Sequence, residues 1–155
     1  MAEVDDFLAT ILPPLHDAEV AIHNGDAGPR HELWSHEDPV TLFGAALMGN
    51  GWGEVSRVFD SLATRFSNCQ SCEWEVVAAG ASGDLGYIVA IEHTTCSMGG
   101  GPPQSYELRS TTIYRREDGV WKSVHRHADP MPQSDSARDV VAGLADPGPP
   151  VPADD

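Results

Sequence analysis

The apolar residues of this chain change their period once, and that change limits the fold more than any other feature. Up to about residue 66 they recur at helical spacing, and from 73 to 128 they run as strands do. Phe7, Leu8, Ile11, Leu12, Leu15, Val20 and Ile22 mark a helix over 3–24. Pro13-Pro14 are expected to break or kink it, and Asn24-Gly25-Asp26 to stop it. Residues 30–66 read as short helices around a polar loop. The clearest is 54–63, where Val55, Val58, Phe59 and Leu62 share one face. Four β runs follow at 73–79, 85–95, 106–116 and 120–127, with turns at Ala81-Ser82-Gly83-Asp84 and Asp118-Gly119 and a flexible Gly99-Gly100-Gly101-Pro102-Pro103 link. Helices first and antiparallel strands afterwards predict an α+β domain, its helices packed on one face of a curved sheet.

At 155 residues and 41 % apolar content the chain has a core for one domain, placed at 1–129. Residues 130–155 are rich in Pro and Asp and read as a largely disordered tail with one short helix at 136–144. With 24 acidic against 9 basic side chains, the net charge of -15 repels phosphate backbones and anionic lipids. Neither nucleic acid nor a membrane is therefore an expected partner. No apolar run reaches the ~18 residues of a membrane span, and the acidic start Met1-Ala2-Glu3-Val4-Asp5-Asp6 lacks the order of a signal peptide. Three cysteines, an odd count, fit a reduced cytoplasm.

Particular residues now matter. Gly25-Asp26, Trp34-Ser35-His36-Glu37-Asp38-Pro39-Val40-Thr41-Leu42-Phe43-Gly44, Gly51-Trp52, Gly83-Asp84-Leu85-Gly86-Tyr87, the run from Leu108 to Trp121 and Val124-His125-Arg126-His127 follow in order. Together they resemble the SnoaL-like branch of the NTF2-like (cystatin-like) superfamily over residues 5–129. That superfamily includes ketosteroid isomerases, polyketide cyclases and the hub domain of calcium/calmodulin-dependent kinases. The resemblance implies a cone of helices closing over a bent sheet, a pocket inside it, and a homodimer through the sheet's outer face. It implies no particular reaction.

The resemblance to ketosteroid isomerases places Asp38, in Glu37-Asp38-Pro39-Val40, at the position of the general base. A carboxylate in an apolar cone moves protons between carbons of a ketone, because burial raises its pKa. The competing reading makes Asp38 a capping or turn residue. Trp34, Trp52 and Tyr87 are candidates for the ligand wall. The isomerases' two carbonyl-polarising positions fall on Ala18 and Thr112, and the kinase hub's anion-holding arginine also falls on Thr112. Of these, Thr112 offers a hydroxyl. Alternation puts Ser110 and Tyr114 on its face, giving a neutral hydrogen-bonding lining.

His125 and His127 share a face with Trp121 if the last strand is regular. His127 is then a candidate acid/base group and His125 a ligand contact, or both close the sheet's rim. A register shifted by one turns Val124 and Arg126 inward instead. Glu92 is a second candidate carboxylate, with solvent or an arginine as the alternative. Arg109 is the arginine to examine for a pocket role. His16, His23, His31 and His36 have no ligand-like spacing and are expected in solvent.

If Ala81-Ser82-Gly83-Asp84 centres a hairpin, Cys69 faces Cys96 and Cys72 faces His93. That arrangement leaves open a zinc site, a Cys69–Cys96 disulfide or three free thiols, and the last is expected. No cofactor is expected. Two main function classes stay open: a cofactor-independent isomerase or cyclase acting on a neutral, carbonyl-bearing apolar molecule, and a non-catalytic binding or oligomerisation module. Metal storage by the cysteine hairpin stands behind both.

Overall fold

The change of period becomes a boundary between layers in the computed structural model, which describes residues 3–44 and 46–132. The elements are α1 (Glu3–Ile22), α2 (Gly28–Leu33), β1 (Thr41–Gly44), β2 (Leu47–Asn50), α3 (Trp52–Ala63), β3 (Phe66–Ser82), β4 (Leu85–Met98), β5 (Pro103–Glu117) and β6 (Val120–Pro130). The strands form one six-stranded sheet in the order β2-β1-β6-β5-β4-β3, mixed because β1 runs parallel to β6. The helical layer covers one face, so the domain is α+β. The tail expected at 130–155, with its helix at 136–144, lies outside the described residues from position 133 onward.

α1 buries Phe7, Ile11, Leu15, Ala18, Glu19 and Ile22, a stripe at spacings of three and four. Pro13 and Pro14 do not break it. Both lie on the exposed side, where the carbonyls they leave unpaired stay open to solvent. The segment read as a polar loop holds the β1–β2 hairpin. Thr41 to Gly44 become a strand by pairing with His125 to Ala128 of β6, a partner more than eighty residues away.

The β3–β4 and β5–β6 hairpins stand where turn chemistry puts them. Asp118 and Gly119 both have positive φ, 49° and 78°, as a two-residue hairpin turn of matching twist requires. On the inner face Phe7 meets the edges of Tyr114 at 5.3 Å and Trp121 at 4.8 Å, while Trp34 packs on Phe59 at 5.1 Å. Each such side chain contributes roughly 1.5–3 kcal/mol through burial. Among the described residues no helix is long and apolar enough to cross a membrane.

Candidate functional site

One bulge decides what faces the interior. Along β6, Trp121 and Ser123 point inward; strict alternation would continue with His125 and His127. Between Ile113 and Tyr114 of β5 the register slips, so that Tyr114 pairs with Ser123 while Ile113 pairs with His125. Val124 is the extra residue, and beyond it the parity inverts. Arg126 and Ala128 therefore turn inward and His125 and His127 outward, so the strand follows the first register up to Ser123 and the second from Arg126 on.

Arg126 is buried and holds Glu92 of β4 with both terminal guanidinium nitrogens, Nη2 donating to Oε1 at 2.8 Å and Nη1 to Oε2. Its guanidinium also lies 5.7 Å from the centre of the Trp74 ring. Burial alone pushes the Glu92 carboxyl up, and Arg126 outweighs it, so the group stays ionised below the usual carboxylate range. A second buried pair lies beside it. Arg30 of α2 donates to Glu19 of α1 and sits 5.1 Å over the Phe59 ring.

One turn beyond Glu19, just past the end of α1, His23 donates Nδ1–H to the Glu19 carbonyl oxygen at 2.7 Å, and Nε2 accepts from the Tyr106 hydroxyl. The carbonyl sets the tautomer, since it accepts only from a protonated Nδ1. Burial lowers the His23 pKa, so the ring is neutral at pH 7. Burial likewise raises the Tyr106 phenol, which keeps its proton.

These groups form the polar end of a cavity of about 220 Å³ between the helices and the inner face of the sheet. Glu19, His23, Arg30, Glu92, Tyr106 and Arg126 line that end. Leu47, Leu62, Phe66, Met98 and Leu108 line the apolar remainder.

The structure gathers few of the expected site residues here. Asp38 is exposed; its Oδ1 accepts the Trp52 N–H at 2.9 Å at the start of α3, and it does not line the cavity. Its geometry is the capping alternative, and the apolar surroundings that proton abstraction needs are absent there. Trp34 is core, and Trp52 stacks on His36 at 4.1 Å outside the cavity. Tyr87 faces outward, its ring lying over Gly80, where a Cβ would collide with it.

Ser110, Thr112 and Tyr114 do share the inner face and are buried. Thr112 and Tyr114 sit beside Arg126, with Leu15, Trp34 and Ser123, and so outside that cavity. Thr112 Oγ1 has no hydrogen-bond partner among the described residues. On the outer face, His125 Nδ1 meets Thr41 Oγ1 at 2.7 Å and His127 Nε2 meets Asp129 Oδ2 at 3.3 Å. Arg109 is exposed there too.

The cysteine hairpin is one residue out of the assumed register. Cys72 faces Thr94, while His93 points outward between Glu75 and Glu107. The turn is centred on Gly83-Asp84, with Ser82 opposite Leu85, which moves the pairing two residues from the assumed one; the slip between Val76 and Ala78 takes one back. All three cysteines are free, and the described residues contain no metal-binding cluster of three or more His, Cys, Asp or Glu.

His23, expected in solvent, is buried instead, and Glu19, Arg30 and Tyr106 carried no expectation of a site role. For Glu19 and His23 a signal existed: they fall four and eight residues after Leu15 on the line of the buried stripe, Glu19 within α1 and His23 just past its end. A polar side chain on a buried stripe needs a buried partner. Nothing local marks Arg30 or Tyr106.

A helical layer over one face of such a sheet, with a cavity between them, is a cystatin-like, NTF2-like domain. More narrowly, the chain belongs to the SnoaL-like domain family, whose model matches residues 15–132. Solved structures of the same fold include a ketosteroid isomerase-like protein from Erwinia carotovora atroseptica, at 15 % identity over 80 % of this chain and 95 % of that one, TM-score 0.65. A candidate dehydratase of the NTF2-like family from Streptomyces avermitilis is 20 % identical over 82 % and 97 %, TM-score 0.64. A protein with a cystatin-like fold from Nostoc punctiforme is 12 % identical over 88 % and 99 %, TM-score 0.68. At these identities the likeness is one of fold. No curated protein matches the sequence.

Proposed function

We propose that the cavity binds a small, neutral, carbonyl-bearing apolar molecule and that the protein moves a proton on it, as an isomerase-, cyclase- or dehydratase-type enzyme. The observation that carries this reading is the Tyr106–His23 pair at the polar end of an otherwise apolar cavity. With His23 neutral, Tyr106 passes its proton to Nε2 as its oxygen takes one from the carbon beside the ligand carbonyl. The imidazolium then returns a proton through the Tyr106 hydroxyl, to another carbon in isomerisation or to a leaving hydroxyl in dehydration. Arg126 has N–H groups beyond those it gives Glu92 and is the donor for the developing oxyanion. Glu19 and Glu92 offset Arg30 and Arg126 in charge, which favours a neutral ligand over an anion. Isomerisation and dehydration of a ketone both begin with such a proton abstraction, and the solved neighbours named as ketosteroid isomerase-like and as a dehydratase are in keeping with this reading.

A non-catalytic binding module is the second reading, favoured by one observation: both arginines already have carboxylate partners. Turnover separates the two. We expect conversion of 3-cyclohexenone to its conjugated isomer, reduced about a hundredfold or more in Tyr106→Phe and His23→Gln. Absence of turnover together with 1-tetralone-induced stabilisation, lost in Leu108→Trp, would leave the module.

We also propose a homodimer through the outer face of the sheet. Val77, Leu85, Tyr87, Ile113 and Val120 are exposed, an apolar surface that a second copy would cover.

A further inference from the structure

The three cysteines take no part in the proton-transfer reading, yet two of them are in contact. Cys69 and Cys72 lie three residues apart on β3. In a regular strand that spacing puts side chains on opposite faces with backbones about 10 Å apart. Here the ladder to β4 is interrupted between Ser67 and Ser71, and Asn68 takes a φ of 50°. Asn24, in the turn after α1, accepts the Cys69 N–H on its Oδ1 at 2.9 Å and holds the irregular segment against the body of the domain. The two sulfurs consequently meet at 3.3 Å. Cys72 Sγ is in turn 3.6 Å from His23 Nδ1.

We propose that Cys69 and Cys72 are an oxidisable dithiol that closes to an intrachain disulfide when the protein meets a peroxide. The two thiols differ in access. Cys69 is half-buried on β3, which is an edge strand of the sheet, whereas Cys72 is buried and borders a cleft between α1 and β3 with Leu12, Leu15, Glu19 and Trp74. Burial raises the Cys72 thiol well above its usual range, which leaves Cys69 as the first to react.

The Cys69 sulfur attacks one oxygen of hydrogen peroxide, the O–O bond breaks, and Cys69 sulfenic acid and one water result. The Cys72 sulfur then attacks the Cys69 sulfur; the S–O bond breaks and the departing hydroxide takes the Cys72 proton as a second water. The two sulfurs supply both electrons to the peroxide. Because Cys72 borders His23, the disulfide forms directly behind the Tyr106–His23 pair.

The test uses the purified, reduced protein and hydrogen peroxide alone. After treatment the chain is denatured, its remaining thiols are alkylated, and cleavage at Arg65 and Glu73 separates Cys69 and Cys72 from Cys96. The expected result is one alkylated thiol of the three, on Cys96, and a 66–73 peptide lighter by two hydrogens that dithiothreitol restores. Cys72→Ser should instead accumulate a dimedone-trapped sulfenic acid on Cys69, and Cys96→Ser should form the disulfide as the wild type does. A linkage involving Cys96, over-oxidation of Cys69 with Cys72 still alkylated, or no loss of thiols would overturn the proposal. Stoichiometric zinc in chelator-free protein, shielding both thiols, would overturn it as well.

Discussion

Arg126 of β6 reaches Glu92 of β4 across the whole width of the intervening strand β5. Glu92 pairs with Leu108 and Arg126 with Thr112, so the two lie four residues apart along β5 as well as two strand spacings, about 9.5 Å, across it. The inner face of β5 beneath that span carries Ser110 and Thr112, small enough to let the long arginine lie over them. A large residue at either position would force the pair apart. The salt bridge is thus built by three strands at once, and it depends on the bulge at Val124 that turns Arg126 inward.

Breaking this pair from one side should be far worse than removing it. Arg126→Met leaves a buried, unpaired carboxylate and should cost about 3–5 kcal/mol in urea unfolding. Adding Glu92→Met removes the stranded charge, so the double variant should recover much of that loss. A double variant as unstable as the single would show that the pair does more than neutralise itself.

The burial of His23 makes a signed prediction for pH. Its folded pKa lies below the ordinary value near 6.5, with burial as the main cause. The unfolded chain therefore takes up the proton first, and stability present above about pH 6.5 falls as pH drops toward the folded pKa. One proton gives at most about 1.4 kcal/mol per pH unit. His125, also lowered by burial, acts in the same direction, while exposed His93, raised by Glu75, opposes both weakly. In thermal melts between pH 7.5 and 5, His23→Gln should show a flatter decline than the wild type; superimposable curves would contradict this assignment.

Asp38 should behave as a helix-end ligand. Asp38→Ala should lose about 0.5–1 kcal/mol of stability, and Asp38→Asn less, since its amide oxygen still accepts the Trp52 N–H. Turnover of 3-cyclohexenone should be unchanged in Asp38→Asn. A large drop in turnover without a drop in stability would return Asp38 to the role of base.

On the outer face, Ile113 pairs directly with Tyr87. Ile113→Glu places a charge in the centre of that apolar surface and should convert a dimer to a monomer in light scattering, with the fold retained by circular dichroism. A wild-type monomer would remove the proposed interface.

Much of the fold was legible in particular residues. The stripe from Phe7 to Ile22, the face of Val55 and Phe59, and Asp118-Gly119 between two β runs encode local geometry, and local geometry is what periodicity and turn chemistry report. Thr41 to Gly44 carried no such signal, because a four-residue strand owes its existence to the β6 backbone beside it.

The site was less legible, and the reason lies in strand register. The bulge at Val124 exchanges His125 and His127 for Arg126, and the β3–β4 turn at Gly83-Asp84, offset in part by the slip near Val77, exchanges His93 for Thr94 opposite Cys72. A strand's side chains alternate with period two, so a single inserted residue sends every later one to the other face. The chain alone determined an α+β, SnoaL-like domain, because its patterns are repeated many times and survive local irregularity. Tertiary structure alone decided which ionisable groups meet in the cavity. Those meetings join α1, α2, β4, β5 and β6, and they depend on single-residue registers that no local pattern records.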